Sequence, residues 1–255
     1  LKISGSWDFF VAENMELQLV LVPFCLLSSI ITYGLGIFVY AKNSDSPVNR
    51  QFLAIMMGAS YWAAGEFSIW QSDTCESALF WLKASSFWTL VIVMTIHFIL
   101  TYTGHPLSSR TNRNILFLVL YLPGIIFGII GVFTDYIFII RCLPDGGFYY
   151  TPQDANPVYF VETIYFLLIM TWGVYLGIRS WHLASLKKNR THYYFISIGF
   201  LLILGMGSFS AVILPFHKIF LPNVVFIGIL GFSVIITYAI LRYNLFILSP
   251  ESAAT

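Results

Sequence analysis

Seven long apolar stretches run through this chain, and that pattern restricts it to a polytopic membrane protein. A helix needs roughly 20 apolar residues to cross about 30 Å of hydrocarbon. The stretches run from about Glu16 to Ala41, Arg50 to Trp70, Ser77 to Tyr102, Asn114 to Thr134, Val158 to His182, Thr191 to Leu214 and Leu221 to Tyr243. Backbone groups in lipid must be paired within the segment, so each is predicted to be a helix. No ten-residue alternation of an outer-membrane barrel is present. The charged share, 10%, is far below the quarter or so of a soluble domain. The predicted fold class is an all-α, seven-helix membrane bundle.

The basic residues give the bundle a direction. Lys42, Arg50, Arg110, Arg113, Arg179, Lys187, Lys188, Arg190 and Arg242 fall in connections on one side. Only Lys2, Arg141 and Lys218 fall on the other. Lys and Arg concentrate in cytoplasmic loops, so the N-terminus is expected outside and the C-terminus in the cytoplasm, in the cell membrane. The net charge of +1 conceals this separation and gives no reason to expect a nucleic-acid partner. The first run is too long for a signal-peptide core and lacks a basic stretch before it, so it reads as a signal anchor. Residues 1–243 read as one membrane domain and residues 244–255 as the start of a cytoplasmic connector. The long outer connection from Asp135 to Pro157 reads either as an ordered cap or short hairpin, or as a floppy loop.

Cys75 and Cys142 both fall in outer connections, where they are either disulfide-bonded or two free thiols; Cys25 lies in the first stretch. No Cys/His metal spacing and no cofactor signature appears. Glu66 and Lys83 are ionisable residues well inside the second and third stretches, at similar depth. Charge at such depth is costly and faces the bundle interior. Two readings stay open: a structural ion pair, or the lining of an outward-opening pocket for a small or lipid-like ligand. Trp62 and Trp70 share a helix face with Glu66, Phe87 with Lys83, and Trp88 lies on the same outer half. Glu162 and Tyr165 bring a further acid and aromatic at the outer end of the fifth stretch. An aromatic cage with a few charges is how small-molecule sites are built, although an interfacial aromatic belt explains part of it.

The seventh stretch has no Lys for a retinal Schiff base, and no phosphate loop or nucleophile elbow occurs. The chain end does carry a resemblance. Tyr238-Ala239-Ile240-Leu241-Arg242-Tyr243-Asn244-Leu245-Phe246-Ile247-Leu248-Ser249-Pro250 resembles the exit from the seven-helix N-terminal sensor region of membrane histidine kinases. Phe98-Ile99-Leu100-Thr101-Tyr102-Thr103-Gly104, Arg50-Gln51-Phe52, Phe80-Trp81 and Leu122-Pro123-Gly124 fit that family in the same order. The resemblance implies an outer sensing surface coupled to a cytoplasmic transmitter. Arg242, Tyr243, Leu245, Phe246 and Pro250 would carry the signal, and the kinase would lie beyond Thr255. It also implies no catalysis within these residues and a homodimer formed through the downstream domain. A small transporter or channel, and a passive membrane anchor that dimerises an output domain, are the alternatives.

Overall fold

A computed structural model describes residues 5–143, 148–153, 156–184, 187–217, 219 and 221–243. Each apolar stretch folds as a helical rod. The first is α1 (Gly5–Lys42), which runs unbroken through Pro23, and the second is α2 (Pro47–Trp70). The third is α3 (Cys75–Ala84), a 3₁₀ turn at Ser85–Phe87 and α4 (Trp88–Tyr102). The fourth joins α5 (Arg113–Leu116) to α6 (Leu122–Phe133) through a π-helical segment, Phe117–Tyr121. The fifth is α7 (Val158–Leu183). The sixth is α8 (Lys187–Ser208), a second π segment at Phe209–Ile213 and α9 (Leu214–Phe216). The seventh is α10 (Val225–Tyr243).

Among the described residues, five helical segments are long and apolar enough to cross a membrane: Val20–Lys42, Cys75–Tyr102, Arg113–Phe133, Val158–Leu183 and Arg190–Ile213. A shorter apolar helix spans Val225–Ala239. The 24-residue α2 has the length, but carries Arg50 and Glu66.

Local chemistry moves several boundaries from their predicted places. Helix α2 starts before Arg50 because Ser46 Oγ accepts the Asn49 N–H and Pro47 occupies the first turn. Helix α3 starts at Cys75 because Thr74 caps it, accepting from Ser77 N at 3.2 Å. The last helix starts at Val225, not Leu221. Pro222 disfavours helix just before itself, and Asn223 Oδ1 accepts Val225 N at 3.1 Å. Helix α4 ends at a left-handed Gly104 with φ 63°. There His105 N donates to Leu100 O at 2.9 Å and Gly104 N to Thr101 O at 3.2 Å, so the Tyr-Thr-Gly sequence is a Schellman stop.

The third and fourth stretches depart from continuous helix, and so does the sixth. Each π segment ends two residues before a proline, Pro123 or Pro215. A helical proline cannot donate to the carbonyl four residues back and crowds it. For Pro215 that carbonyl is Ala211 O, and the Tyr159 hydroxyl donates to it instead. Near Pro123, Tyr165 Oη donates to Leu120 O at 2.7 Å.

The long outer connection contains a hairpin. Strands β1 (Phe138–Cys142) and β2 (Phe148–Pro152) form an antiparallel hairpin, pairing Ile140 with Tyr150 and Cys142 with Phe148. The bundle therefore carries a small sheet that an all-α class omits. A disulfide joins Cys142 at the end of β1 to Cys75 at the start of α3, with Cα atoms 6.1 Å apart.

Helix α4 is central, packing on α2, α6 and α7, while α10 wedges between α1 and α8. The core between them is aromatic: Phe52, Phe98, Phe200, Phe226 and Phe232 are all fully buried. Glycines permit close approach. A Cβ on Gly128 would lie 2.3 Å from Phe87 Cδ1, and one on Gly173 would lie 2.7 Å from Ile96 Cδ1.

Candidate ligand-binding site

A chamber of about 110 Å³ opens at the hairpin end of the bundle. Trp62, Glu66 and Ile69 of α2 form one wall, and Leu82, Lys83, Ser85, Ser86 and Trp88 of the third rod another. Phe138, Tyr150 and Pro152 of the hairpin lie over it. Phe166, Ser210, Ala211 and Pro215 close the far side, and Asn223 and Val225 come from the start of the last helix. The chamber depends on the local breaks. Ser85 and Ser86 belong to the 3₁₀ turn, and Ser210 and Ala211 to the second π segment.

Glu66 is 3% exposed. Its Oε1 accepts from three donors: Trp70 Nε1 at 2.9 Å, Tyr150 Oη at 2.7 Å and Asn223 N at 2.9 Å. One carboxyl oxygen thereby joins α2, the hairpin and the entrance to α10. Each bond to a charged acceptor is worth about twice a neutral one. Burial, and then the Glu66 carboxyl, push the Tyr150 phenol well above its ordinary value, so it stays protonated and donates.

Glu66 and Lys83 line the same chamber but form no ion pair. Lys83 Nζ donates to Thr134 O and lies 2.6 Å from Asp135 Oδ1, at the lip where the hairpin connection begins. The partner differs from the expected one because the connection folds back over α3. Similar depth on adjacent helices does not imply contact.

The other predicted site residues divide. Trp62 and Trp88 line the chamber, with rings stacked 5.4 Å apart. Trp70 stands behind Glu66 as its donor and packs on Phe148 and Tyr150. Phe87 covers Gly128 on α6. Tyr165 serves the Leu120 carbonyl, and neither Phe87 nor Tyr165 is among the chamber walls. Glu162 is 1% exposed, also outside the walls, and neither of its oxygens has a hydrogen-bond partner among the described residues. Arg242 and Tyr243 form the last turn of α10, with Arg242 exposed. Leu245, Phe246 and Pro250 lie outside the described residues.

Sequence reasoning missed Asp135, Tyr150, Ser85, Ser210 and Asn223. Asn223 carried a readable signal: an Asx residue after Pro222 and two places before an apolar run is a helix start. The others have none, since each is an ordinary loop, strand or mid-helix residue until the fold brings it to the chamber.

The family model for the N-terminal 7TM region of histidine kinase matches residues 24–250. No curated protein matches the chain.

Proposed function

We propose, for a chain that belongs to the family of histidine-kinase N-terminal 7TM regions, that this region is the sensor for a kinase carried further along the same protein. Such a region is not itself catalytic. In this reading all seven rods cross the plasma membrane, with the N-terminus outside and the C-terminus in the cytoplasm. Residues 1–243 form the sensor and residues 244–255 begin the connector. A small extracytoplasmic or membrane-borne ligand enters the chamber, and α10 passes the change through Arg242, Tyr243, Leu245, Phe246 and Pro250 into a dimeric output domain.

One observation carries the reading: the Glu66 carboxylate that forms part of the chamber wall also holds the segment that leads into the exit helix, through Asn223 N. A ligand that competes for this oxygen, or shifts the hairpin above it, has a direct mechanical route to the last helix. It moves the equilibrium between two packings by its differential affinity for them. A transporter needs a polar route to both faces, and the interlocked Phe52, Phe98, Phe200 and Phe232 give that reading no support.

The test is autophosphorylation by the full-length protein in proteoliposomes. Glu66→Ala and Lys83→Ala are expected to shift the basal rate or the ligand response while expression persists. Normal signalling by both variants overturns the assignment of the chamber. Reporters fused to the two termini are expected in opposite compartments; finding both in one overturns the topology.

A further inference from the structure

We infer that the chamber takes a small organic ammonium ion, a primary amine on a compact branched or short alkyl body. This names the ligand class of the sensor site and rests on that reading of it. The inference comes from a buried carboxylate with one oxygen open to a small, largely apolar space. Three donors are committed to one acceptor: Trp70 Nε1, Tyr150 Oη and Asn223 N all point at Glu66 Oε1. Lys83 is the cation in the wall, and Asp135 and the Thr134 carbonyl occupy it. Glu66 Oε2 takes none of the described hydrogen bonds, and the hydroxyls of Ser85 and Ser210, without a partner among the described residues, can each donate or accept. Ser86 Oγ donates to Leu82 O at 3.1 Å, which leaves its own lone pairs open.

The open oxygen of the Glu66 carboxylate favours a guest that brings N–H donors and positive charge. An ammonium group carries three N–H donors and no acceptor. The apolar walls suit the same guest. Trp62 and Trp88 stack, and Phe166 meets Trp88 edge-on at 5.9 Å. Indole faces attract cations electrostatically and cover alkyl groups equally well. Size sets the rest. One water needs roughly 10–15 Å³ of such space, so about 110 Å³ holds a molecule of a few heavy atoms. A carboxylate guest of the same size would face Glu66 with like charge. An alcohol of that size brings one donor and no charge.

The experiment is calorimetric titration of the full-length protein in phosphatidylcholine nanodiscs, with empty nanodiscs as blank. The probes are isobutylamine, isobutanol and isobutyrate. Isobutylamine is expected to bind saturably, and the other two at least about tenfold more weakly, because only the amine pairs with the buried charge. Glu66→Gln keeps an acceptor oxygen for the three donors and is expected to weaken the amine by about tenfold or more. The inference is overturned if isobutanol or isobutyrate binds as well as the amine, if no probe binds, or if Glu66→Gln binds the amine as the parent does. Should that variant not fold, the three probes on the parent protein decide alone. Saturable amine binding with autophosphorylation unmoved at saturation overturns the sensor reading and keeps the ligand class. Absent amine binding, with Glu66→Ala still shifting autophosphorylation, overturns the ligand class and keeps the sensor.

Discussion

The hairpin end of the bundle and its aromatic middle are built on opposite principles. At the hairpin end, polar groups converge on Glu66 Oε1, a disulfide ties β1 to α3, and open space remains between them. In the middle, Phe232 meets Phe52 at 6.2 Å and Phe200 at 5.9 Å, and all three rings are fully buried. Lipid-facing helices gain little from hiding apolar surface, because lipid is itself apolar, so close packing and directional polar contacts hold them. The middle uses the first and the hairpin end the second. Dense packing is bistable or rigid, whereas a hydrogen-bonded chamber can exchange partners. The lesson is that one bundle separates a stiff body from an adjustable end without a domain boundary.

The largest effect is expected from breaking the stiff half. Phe232→Ala opens a cavity among buried rings and should cost about 3–5 kcal/mol. Steric-trap or detergent unfolding reads that loss, and amine binding by the surviving folded fraction should be little changed. A large loss of binding would show that the two halves are one unit.

Reducing the Cys75–Cys142 disulfide attacks the adjustable half. Releasing a link that closes 67 residues should lower stability by about 4 kcal/mol on the chain-entropy account. Hydrogen exchange should quicken first in β1 and β2. Equal quickening in α4 and α8 would contradict a local tether.

Paired glycine substitutions sharpen the contrast on one chemistry. A Cβ on Gly199 would lie 2.4 Å from Cδ2 of the fully buried Phe232 ring, so Gly199→Ala should cost about 1–3 kcal/mol. A Cβ on Gly65 would lie 1.9 Å from Ser85 Oγ, a closer clash but with a hydroxyl that has no partner and can rotate away. Gly65→Ala should therefore cost less, below about 1 kcal/mol, since a rotamer change is cheap. The reverse order of melting temperatures would put the rigid packing at the chamber instead.

The smallest effect is one of pH, at neither half but at the stop of α4. Leu107 N donates to His105 Nδ1 at 3.3 Å, which requires an unprotonated nitrogen. Burial, then the Arg179 charge, hold this imidazole below its ordinary value of 6.5. The folded state thus prefers neutral His105. Its contribution is whole above pH 6.5, and is lost as pH falls through that value toward the lower folded one. Melting temperature against pH should show a shallow drop that His105→Asn flattens; an unchanged slope would remove His105 as its source.

Glu66, Trp62, Lys83 and Trp88 could be singled out, and Cys75 and Cys142 placed on one side with their bonding left open, because depth in an apolar run, helical spacing and shared sidedness are properties of sequence. The same reasoning placed Phe87, Tyr165 and Glu162 on aromatic or acidic faces but could not say what each face meets. Phe87 turns to Gly128 and Tyr165 to a carbonyl beside a π segment. The break at Ser85–Phe87 has no proline to mark it, and those at Phe117–Tyr121 and Phe209–Ile213 were only half visible, since proline marks a weak point without saying whether kink, π turn or straight helix results.

Read alone, the chain determined the number of apolar stretches, their expected direction in the membrane, and the expensive charges within them, because hydrocarbon judges each segment by its own composition. Tertiary structure decided who answers those charges. Asp135 rather than Glu66 meets Lys83, and Trp70, Tyr150 and Asn223 meet Glu66. Those pairings depend on where a hairpin folds back and where a helix begins, and hydrogen bonds reach only about 3 Å, a precision no helical period carries across separate rods.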